Sequence, residues 1–437
     1  MFRRIYLPFF PEVTMQPDFK KEIQQRYRVW TLDHSNRLTA VHHQMLALRR
    51  LELDQIANGI SRSMGIEKPN NKKNLSVLFD KDWLAEFATG DIVKCLGQEF
   101  DIYQNRRSPR IPNGDLLLMS RILSIQGNRG EFNQPSQISA ESDISSNAWI
   151  FDGTVNGEIP LSILLEIALQ PCGVLSAWLG TQLRYPAVDF FFRNLDGDVH
   201  FSRKVDLRGK TVRTNAILTK TIFSGSTIIQ HFKFELTLAG EVFFKGTSSF
   251  GYFPEESMAF QTGLDGGKSS LPWGKKPENI GRTQKLLQKD FLLNQDFPVG
   301  KLRLIDDVWI CLDGGSHMKG YAMASRWNSP TDWFYTNHFF QDPVMPGSLG
   351  IEAIVQAFKV AVHSLTKSSK PVTLAADHNF KWKYRGQVLQ NHREMQVETH
   401  IQNQQIKNGT AIFTGNANLW ADDIRIYEIQ NLAVQQE

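Results

Sequence analysis

The chain has 437 residues, of which 41% are hydrophobic and 22% are charged, and its formal net charge is +4. Single hydrophobic cores rarely grow beyond about 300 residues, so this length predicts two or more domain-sized units. The composition is typical of a globular protein, and the charge is too small to indicate nucleic-acid binding. The cysteines, Cys95, Cys172 and Cys311, are too far apart for a disulfide framework or a zinc site. We therefore expect no metal and a reducing, cytoplasmic location.

The first 73 residues are polar and charged, with leucines spaced as on one face of a helix. This segment is too short to hold a core alone, and we interpret residues 1–73 as an N-terminal helical extension with a linker. The most apolar stretch, residues 159–180, contains Glu166, Gln170 and Pro171. Such polar interruptions predict a buried helix and no membrane span.

From residue 74 onward the pattern is mixed helix and strand. Phe232 and Phe234 alternate with Lys233 and Glu235, which is the two-residue period of a half-buried strand, and Ala239-Gly240 predicts a hairpin turn. We predict a first domain over residues 74–255. Residues 256–300 are rich in glycine, proline and polar residues, which favours an interdomain connection. Residues 301–437 then repeat the earlier order of elements and form a predicted second domain.

The two domains share a helix motif at a constant spacing of 186 positions. Proline, serine, glutamate and glutamine coincide in the pairs Pro160 and Pro346, Ser162 and Ser348, Glu166 and Glu352, and Gln170 and Gln356. This repetition predicts two tandem copies of a long helix with an antiparallel sheet, which is an α+β architecture.

The run from His338 to Gln356 carries most of the chemical information. A carboxylate such as Glu352 on an apolar helix needs a partner or a function, because burying it unpaired is costly. Gly347-Ser-Leu-Gly350 does not match a nucleophile elbow and is better interpreted as a tight helix entry. The sequence contains no phosphate-binding glycine loop, dinucleotide fingerprint or zinc-protease motif.

This run resembles the active-site signature of the β-hydroxyacyl-acyl-carrier-protein dehydratases. In that family a histidine precedes a Pro-Gly helix start, and an acidic residue follows fourteen positions after the histidine, as Glu352 follows His338. The hydroxydecanoyl type resembles residues 342–347, and the hydroxymyristoyl type has a glutamate at the acidic position. Residues 91–97, 109–116 and 166–173 resemble tandem dehydratase regions of polyunsaturated fatty acid synthases and cyanobacterial glycolipid-type synthases. The resemblance implies a double hot-dog fold, with one hot-dog in each predicted domain.

The resemblance also implies a set of site residues, since each site of the family takes its histidine from one hot-dog and its acid from the other. The implied catalytic residues are His338 as base, Glu166 as acid and the Gly347 backbone. The implied substrate-binding residues are Pro346, Gln170, Phe339 and Ser348. The first copy has Asp152 where the second has His338 and Leu161 where the second has Gly347. A degenerate second site would therefore contain Asp152, Glu352 and Gln356.

The implied activity is dehydration of a 3-hydroxyacyl thioester to the trans-2-enoyl thioester, with later isomerisation left open. The substrate would be carried on the phosphopantetheine of an acyl carrier protein, and no other cofactor is expected. The expected partners are this carrier and other domains or subunits of a fatty acid or polyketide-type synthase. The two copies would form an internal pseudo-dimer, and a homodimer is left open. Two alternatives remain, a non-catalytic acyl-binding scaffold and a hot-dog thioesterase, although the spacing from histidine to glutamate argues against the thioesterase.

Overall fold

The computed structural model describes residues 77–155, 157–292, 296–407 and 409–436. The predicted N-terminal extension, residues 1–73, lies outside the described residues. The described chain contains helices α1 (Lys81–Thr89), α2 (Ile92–Leu96), α3 (Leu161–Trp178), α4 (Glu255–Ala259), α5 (Gln288–Leu292), α6 (Trp333–Asn337) and α7 (Gly347–Thr366). Side chains of Asp80 and Asp91 accept hydrogen bonds from the first turns of α1 and α2, which explains where these two helices begin.

The strands fall into two sequential groups. The first group is β1 (Arg121–Gln126), β2 (Ser136–Ile144), β3 (Phe191–Phe201), β4 (Lys210–Ser224), β5 (Thr227–Leu238) and β6 (Glu241–Phe253). The second group is β7 (Gln284–Leu286), β8 (Asp307–Cys311), β9 (Tyr321–Trp327), β10 (Val372–Leu374), β11 (His378–Tyr384), β12 (Glu394–Lys407), β13 (Thr410–Ala421) and β14 (Ile424–Gln436). The predicted hairpin turn at Ala239-Gly240 connects β5 to β6, and both turn residues have positive φ angles, as the tight turns between antiparallel strands require.

The sheet order shows the duplication directly. The strands follow the order β1-β2-β4-β5-β6-β3-β11-β14-β13-β12-β9-β8-β7, and β10 pairs with β14 beside this path. The second half of this order is the first half reversed, with β8, β9, β12, β13, β14 and β11 in the places of β1, β2, β4, β5, β6 and β3. The two halves meet where β3 pairs antiparallel with β11, and Gly197 lies opposite Trp382. Only a glycine fits there, because a Cβ at Gly197 would lie 2.0 Å from the Trp382 ring.

Each half wraps one long helix. Helix α3 packs on β2, β4 and β5, helix α7 packs on β8, β9, β12 and β13, and the two helices contact each other. Their buried side chains belong to one continuous hydrophobic core. The chain therefore has the α+β double hot-dog fold that the sequence predicts. By length and composition residues 161–184, which include α3, could cross a bilayer, but 83% of the most apolar 18-residue stretch of this segment is buried inside the fold.

The glutamines of the repeated motif explain part of the shared geometry. The Gln170 amide donates to the Leu116 carbonyl at 2.6 Å and accepts from the Leu118 N–H at 3.1 Å. Gln356 makes the same two bonds to Leu302 and Leu304, at 2.6 and 3.0 Å. Each buried amide thus anchors its helix to the segment that directly precedes β1 in the first copy and β8 in the second. All partners keep the spacing of 186 positions.

The segment predicted as an interdomain connection contains ordered elements. Between residues 256 and 300, β7 pairs with β8 and extends the edge of the second half. The Trp273 N–H donates to the Glu398 carboxylate at 2.6 Å, and the Gly274 N–H donates to the Tyr321 hydroxyl at 2.9 Å. The connection between domains at residues 256–300 stays a prediction, and the side-chain bonds of this segment to the second copy could not be predicted from its polar composition.

Candidate active site

The predicted histidine and the predicted acid line one cavity. This cavity has a volume of about 100 Å³, and its walls include His338 and Phe339 from the segment after α6, Gly347 from the start of α7, and Glu166 from α3. The opposite wall is aromatic and comes from β3, β6, β11 and β14: Phe192, Phe250, Trp382, Tyr384 and Tyr427. Residues 172 positions apart (Glu166 to His338) are therefore brought to one site by the pairing of the two copies.

Local structure sets the tautomer of His338. Its backbone N–H donates to Phe334 and ends α6, and its ring stacks on Phe339 with centroids 3.8 Å apart. The Nδ1 atom lies 2.9 Å from the Val344 carbonyl, which can only accept, so Nδ1 carries the proton. The other ring nitrogen, Nε2, is then left with a free lone pair. Burial lowers the pKa of His338 to about 4, so the ring is neutral near pH 7.

Burial also acts on Glu166, where it favours the protonated form of the carboxyl group. Burial raises the pKa of its carboxyl, and hydrogen bonds from Ser348 and Gln170 oppose this effect only in part. The Ser348 hydroxyl donates to Oε1 at 2.6 Å, and the Gln170 amide donates to Oε2 at 3.2 Å. Ser348 belongs to the second copy, so the acid of α3 is positioned from across the pseudo-dimer. The site therefore holds a neutral base and a carboxyl group whose protonated form is favoured.

Gly347 begins α7 directly after Pro346, the N-cap residue. The first backbone N–H groups of a helix have no partner inside the helix and can donate to an anionic oxygen. A Cβ at position 347 would lie 2.7 Å from the Tyr384 ring, so this helix start needs glycine for packing as well as for access. Pro346 is buried and does not belong to the cavity wall, so its role in substrate binding stays a prediction.

A buried ion pair connects the two copies beside His338. The Arg193 guanidinium on β3 donates to both carboxylate oxygens of Asp342, at 2.6 and 2.7 Å. Asp342 lies in the segment that carries His338, and the sequence interpretation gave neither residue a role. Asp342 was inside the quoted motif, but Arg193 could be found only from the pairing of β3 with β11.

The second copy, as far as the structure describes it, matches one family of known proteins. Residues 297–430 match the FabA-like domain family. The second copy is therefore similar to FabA-like domains. The resemblance to the dehydratase family that the sequence indicates is thereby confirmed for this part of the chain.

A curated relative is similar to most of the chain, so the similarity extends beyond the residues that match the FabA-like family. A polyunsaturated fatty acid synthase subunit from Thraustochytrium sp. (strain ATCC 26185 / S-3) is 33% identical over 380 residues, which is 80% of this chain. The match spans only 25% of the length of that relative.

Solved structures with similar architecture include enzymes of two kinds. The dehydratase domain from the CurJ module of curacin polyketide synthase is 12% identical, with a TM-score of 0.40, over 72% of this chain and 96% of that one. A Lactobacillus plantarum protein provisionally named as an oleoyl thioesterase is also 12% identical, with a TM-score of 0.41, over 69% and 96%.

The pseudo-symmetric counterpart of the site differs in its charges. Glu352 of the second copy accepts a hydrogen bond from the Ser162 hydroxyl at 3.2 Å, just as Glu166 accepts from Ser348. Burial raises the pKa of Glu352, and the nearby Lys359 ammonium opposes the shift. Glu352 and Gln356 do not line the cavity that contains His338.

Asp152 does not take the place of the histidine in this counterpart. Its side chain is exposed to solvent, and its backbone carbonyl lies 3.5 Å from the Val299 N–H. The charged partner found beside Glu352 is Lys359, whose Nζ lies 3.1 Å from a Glu158 oxygen of the first copy. The predicted pairing of Asp152 with Glu352 is therefore replaced by a buried ion pair between the copies.

Proposed function

We propose that this chain dehydrates a 3-hydroxyacyl thioester to the trans-2-enoyl thioester. The observation that carries the proposal is the pairing of His338 and Glu166 on one cavity, with burial favouring a neutral base and a protonated acid. Elimination of water needs both at once, because a proton must leave the α-carbon and another must reach the departing hydroxyl.

The proton balance follows from this arrangement. His338 Nε2 takes the α-proton, the electron pair forms the new carbon–carbon double bond, and the β-hydroxyl leaves as water with the proton of Glu166. The Gly347 N–H stabilises the negative charge that develops on the thioester oxygen. His338 is then protonated and Glu166 is ionised, and transfer of one proton from the first to the second restores the starting state.

The second part of the proposal concerns the substrate carrier. The related synthase and the FabA-like domain support an acyl chain attached to the phosphopantetheine arm of an acyl carrier protein. No metal or redox cofactor takes part in the proposed steps. Within the described residues there is also no cluster of three or more His, Cys, Asp or Glu side chains able to hold a metal ion.

A thioesterase is disfavoured by the same charges. Hydrolysis that uses a carboxylate as a base or nucleophile requires an ionised group, whereas burial favours the protonated form of Glu166. Ser316, His400 and Glu398 lie in the order of a catalytic triad, but the Ser316 N–H donates to His400 Nδ1 at 3.0 Å and occupies the lone pair that a base would need. Glu398 also holds the connecting segment through Trp273, so this cluster has a structural role.

The proposal is tested with a 3-hydroxyacyl pantetheine thioester and two readouts. Mass spectrometry detects loss of water, and a thiol reagent detects free pantetheine. Dehydration by the wild type that His338→Gln abolishes supports the proposal, and the double-bond position in the product shows whether isomerisation follows. Release of thiol without dehydration would identify a thioesterase, and binding without turnover would identify a scaffold.

A further inference from the structure

The cavity continues along one face of α3 beyond the acid. Leu169, Gln170 and Gly173 follow Glu166 at positions i+3, i+4 and i+7, and all four residues line the cavity wall. Residues seven apart lie on nearly the same face of a helix, about 10 Å apart along its axis. The cavity wall therefore extends two helical turns away from the reacting groups and reaches Gly173.

Gly173 adds no side chain to this face of the wall, and two other wall residues lie close to it. A Cβ at this position would lie 3.5 Å from Ile111 Cγ2 and 3.6 Å from Phe192 Cε1. These are ordinary contact distances, so one methyl group fits, while a larger side chain would have to project into the cavity that Ile111 and Phe192 also line. Its backbone does not have a positive φ angle, so the helix itself does not require glycine here.

A proline two residues earlier sets this part of the helix apart. Pro171 has no N–H, so the Ile167 carbonyl one turn before it loses its usual partner inside the helix. The Thr214 hydroxyl on β4 donates to that carbonyl instead, at 3.1 Å. The helix continues through the proline to Trp178, with the sheet supplying the missing bond. The sequence thus keeps both a proline and a glycine in a buried helix, although each has low helix propensity.

The equivalent position in the other copy is filled. Lys359 lies 186 positions after Gly173, on the same face of α7, and its buried side chain reaches Glu158 of the first copy. The two helices therefore differ two turns after their glutamates. Helix α3 has no side chain there, because the residue is Gly173, whereas α7 has the long side chain of Lys359. The open position belongs to the helix whose glutamate shares a cavity with His338.

We propose that Gly173 sets the length of acyl chain that the site accepts, with the chain passing over Gly173 between Ile111 and Phe192. This inference rests on the proposed dehydratase function and adds its specificity residue. A short acyl chain ends before it reaches Gly173 and is indifferent to a side chain there. A long chain must pass this point, so added methyl groups compete with it for the same space.

The test compares two substrates on three variants. Turnover of the 3-hydroxybutyryl and 3-hydroxydecanoyl pantetheine thioesters is measured for wild type, Gly173→Ala and Gly173→Val. Cys172→Val is the matched control, because Cys172 is a buried neighbour in the same helix and does not line the cavity. We expect Gly173→Val to lower kcat/KM for the long substrate about tenfold or more relative to the short one, in the range that single methylene groups discriminate. Cys172→Val should leave this ratio unchanged.

The outcomes separate the inference from the function on which it rests. If the wild type dehydrates both substrates and Gly173→Val lowers both rates equally, or neither, the inference is overturned and the dehydratase proposal stands. If the wild type dehydrates neither, both fall. If thermal melting shows that Gly173→Val does not fold, Gly173→Ala decides, because its single methyl group fits and must still shift the ratio toward the short substrate.

Discussion

Replacing each repeated glutamate by glutamine shows which of the two sites is active. Glu166 and Glu352 occupy equivalent positions in the sequence, but their surroundings in the structure differ. Glutamine keeps the shape of a protonated glutamic acid and can still accept the hydrogen bond that each glutamate receives from a serine. It cannot give up a proton to a leaving hydroxyl. Glu166→Gln therefore removes the proposed acid while disturbing the packing of α3 very little.

The structure gives the size of each effect. Loss of a general acid typically costs about 10²- to 10⁴-fold in rate, and this range applies to Glu166, which shares the cavity with His338. Glu352 lines no part of that cavity, so we expect Glu352→Gln to change turnover less than about tenfold, which is about 1.4 kcal/mol of activation free energy. Its stability should change by less than about 1 kcal/mol, because glutamine can still accept the hydrogen bond from Ser162.

The assay is single-turnover dehydration of a 3-hydroxyacyl pantetheine thioester, with thermal melting measured in parallel on the same samples. Wild type and Glu352→Gln should both turn over, and Glu166→Gln should fold and fail to turn over. If Glu352→Gln is the inactive variant while Glu166→Gln retains its rate, the assignment of the acid to the first copy is wrong. In that case His338 acts with the glutamate of its own copy.

Three further predictions follow from the buried charges. Turnover should fall as pH drops toward about 4, where His338 becomes protonated, and should also fall on the alkaline side as Glu166 ionises above the usual pKa of a glutamate; a pH profile of kcat/KM that lacks either limb would contradict these roles. Lys359→Met should destabilise the fold by about 1 to 3 kcal/mol in urea denaturation, because the half-buried Glu158 is left without its cation, and adding Glu158→Gln should recover most of the loss. Asp342→Asn should move the acid limb to lower pH, because its guanidinium partner on β3 would then disfavour the imidazolium without an opposing carboxylate, and an unchanged limb with a lower rate would indicate a structural role only.

Much of the fold could be predicted because the sequence contains two copies of the same motif and order of elements. The spacing of 186 positions placed both core helices, and the structure keeps it in details as small as the two bonds that each motif glutamine makes. Element bounds were less accurate. The start of β3 at Phe191 is not marked by any alternation of polar and apolar residues. Strands β13 and β14 form a hairpin that turns at Asp422, whose positive φ angle nothing in the hydrophobic pattern indicates.

The residues proposed for the chemistry could be named from the family resemblance, whereas the walls of the site could not. The resemblance implied His338, Glu166 and Gly347, and the structure brings all three to one cavity, while their roles stay predictions. The aromatic wall comes from four strands that are adjacent only after the sheet has formed, and no local pattern marks Tyr384 as a neighbour of Gly347. For the same reason the sequence suggested Asp152 as a substitute for the histidine, although its side chain points to solvent.

In each copy a serine donates a hydrogen bond to the glutamate of the other copy. This arrangement explains how the first copy can lack the histidine while the proposed active site is kept. Ser348 at the start of α7 donates to Glu166, and Ser162 at the start of α3 donates to Glu352, so each acid is positioned by the opposite copy. The site that contains His338 needs the helix of the first copy, while the counterpart needs only to remain folded. The counterpart can therefore hold a buried ion pair where the other site holds open space, and that pair, between Glu158 and Lys359, joins the two copies. The consequence is a division of roles, in which changes along α3 and at the start of α7 alter the proposed chemistry. Changes further along the buried face of α7 chiefly alter the stability of the pseudo-dimer.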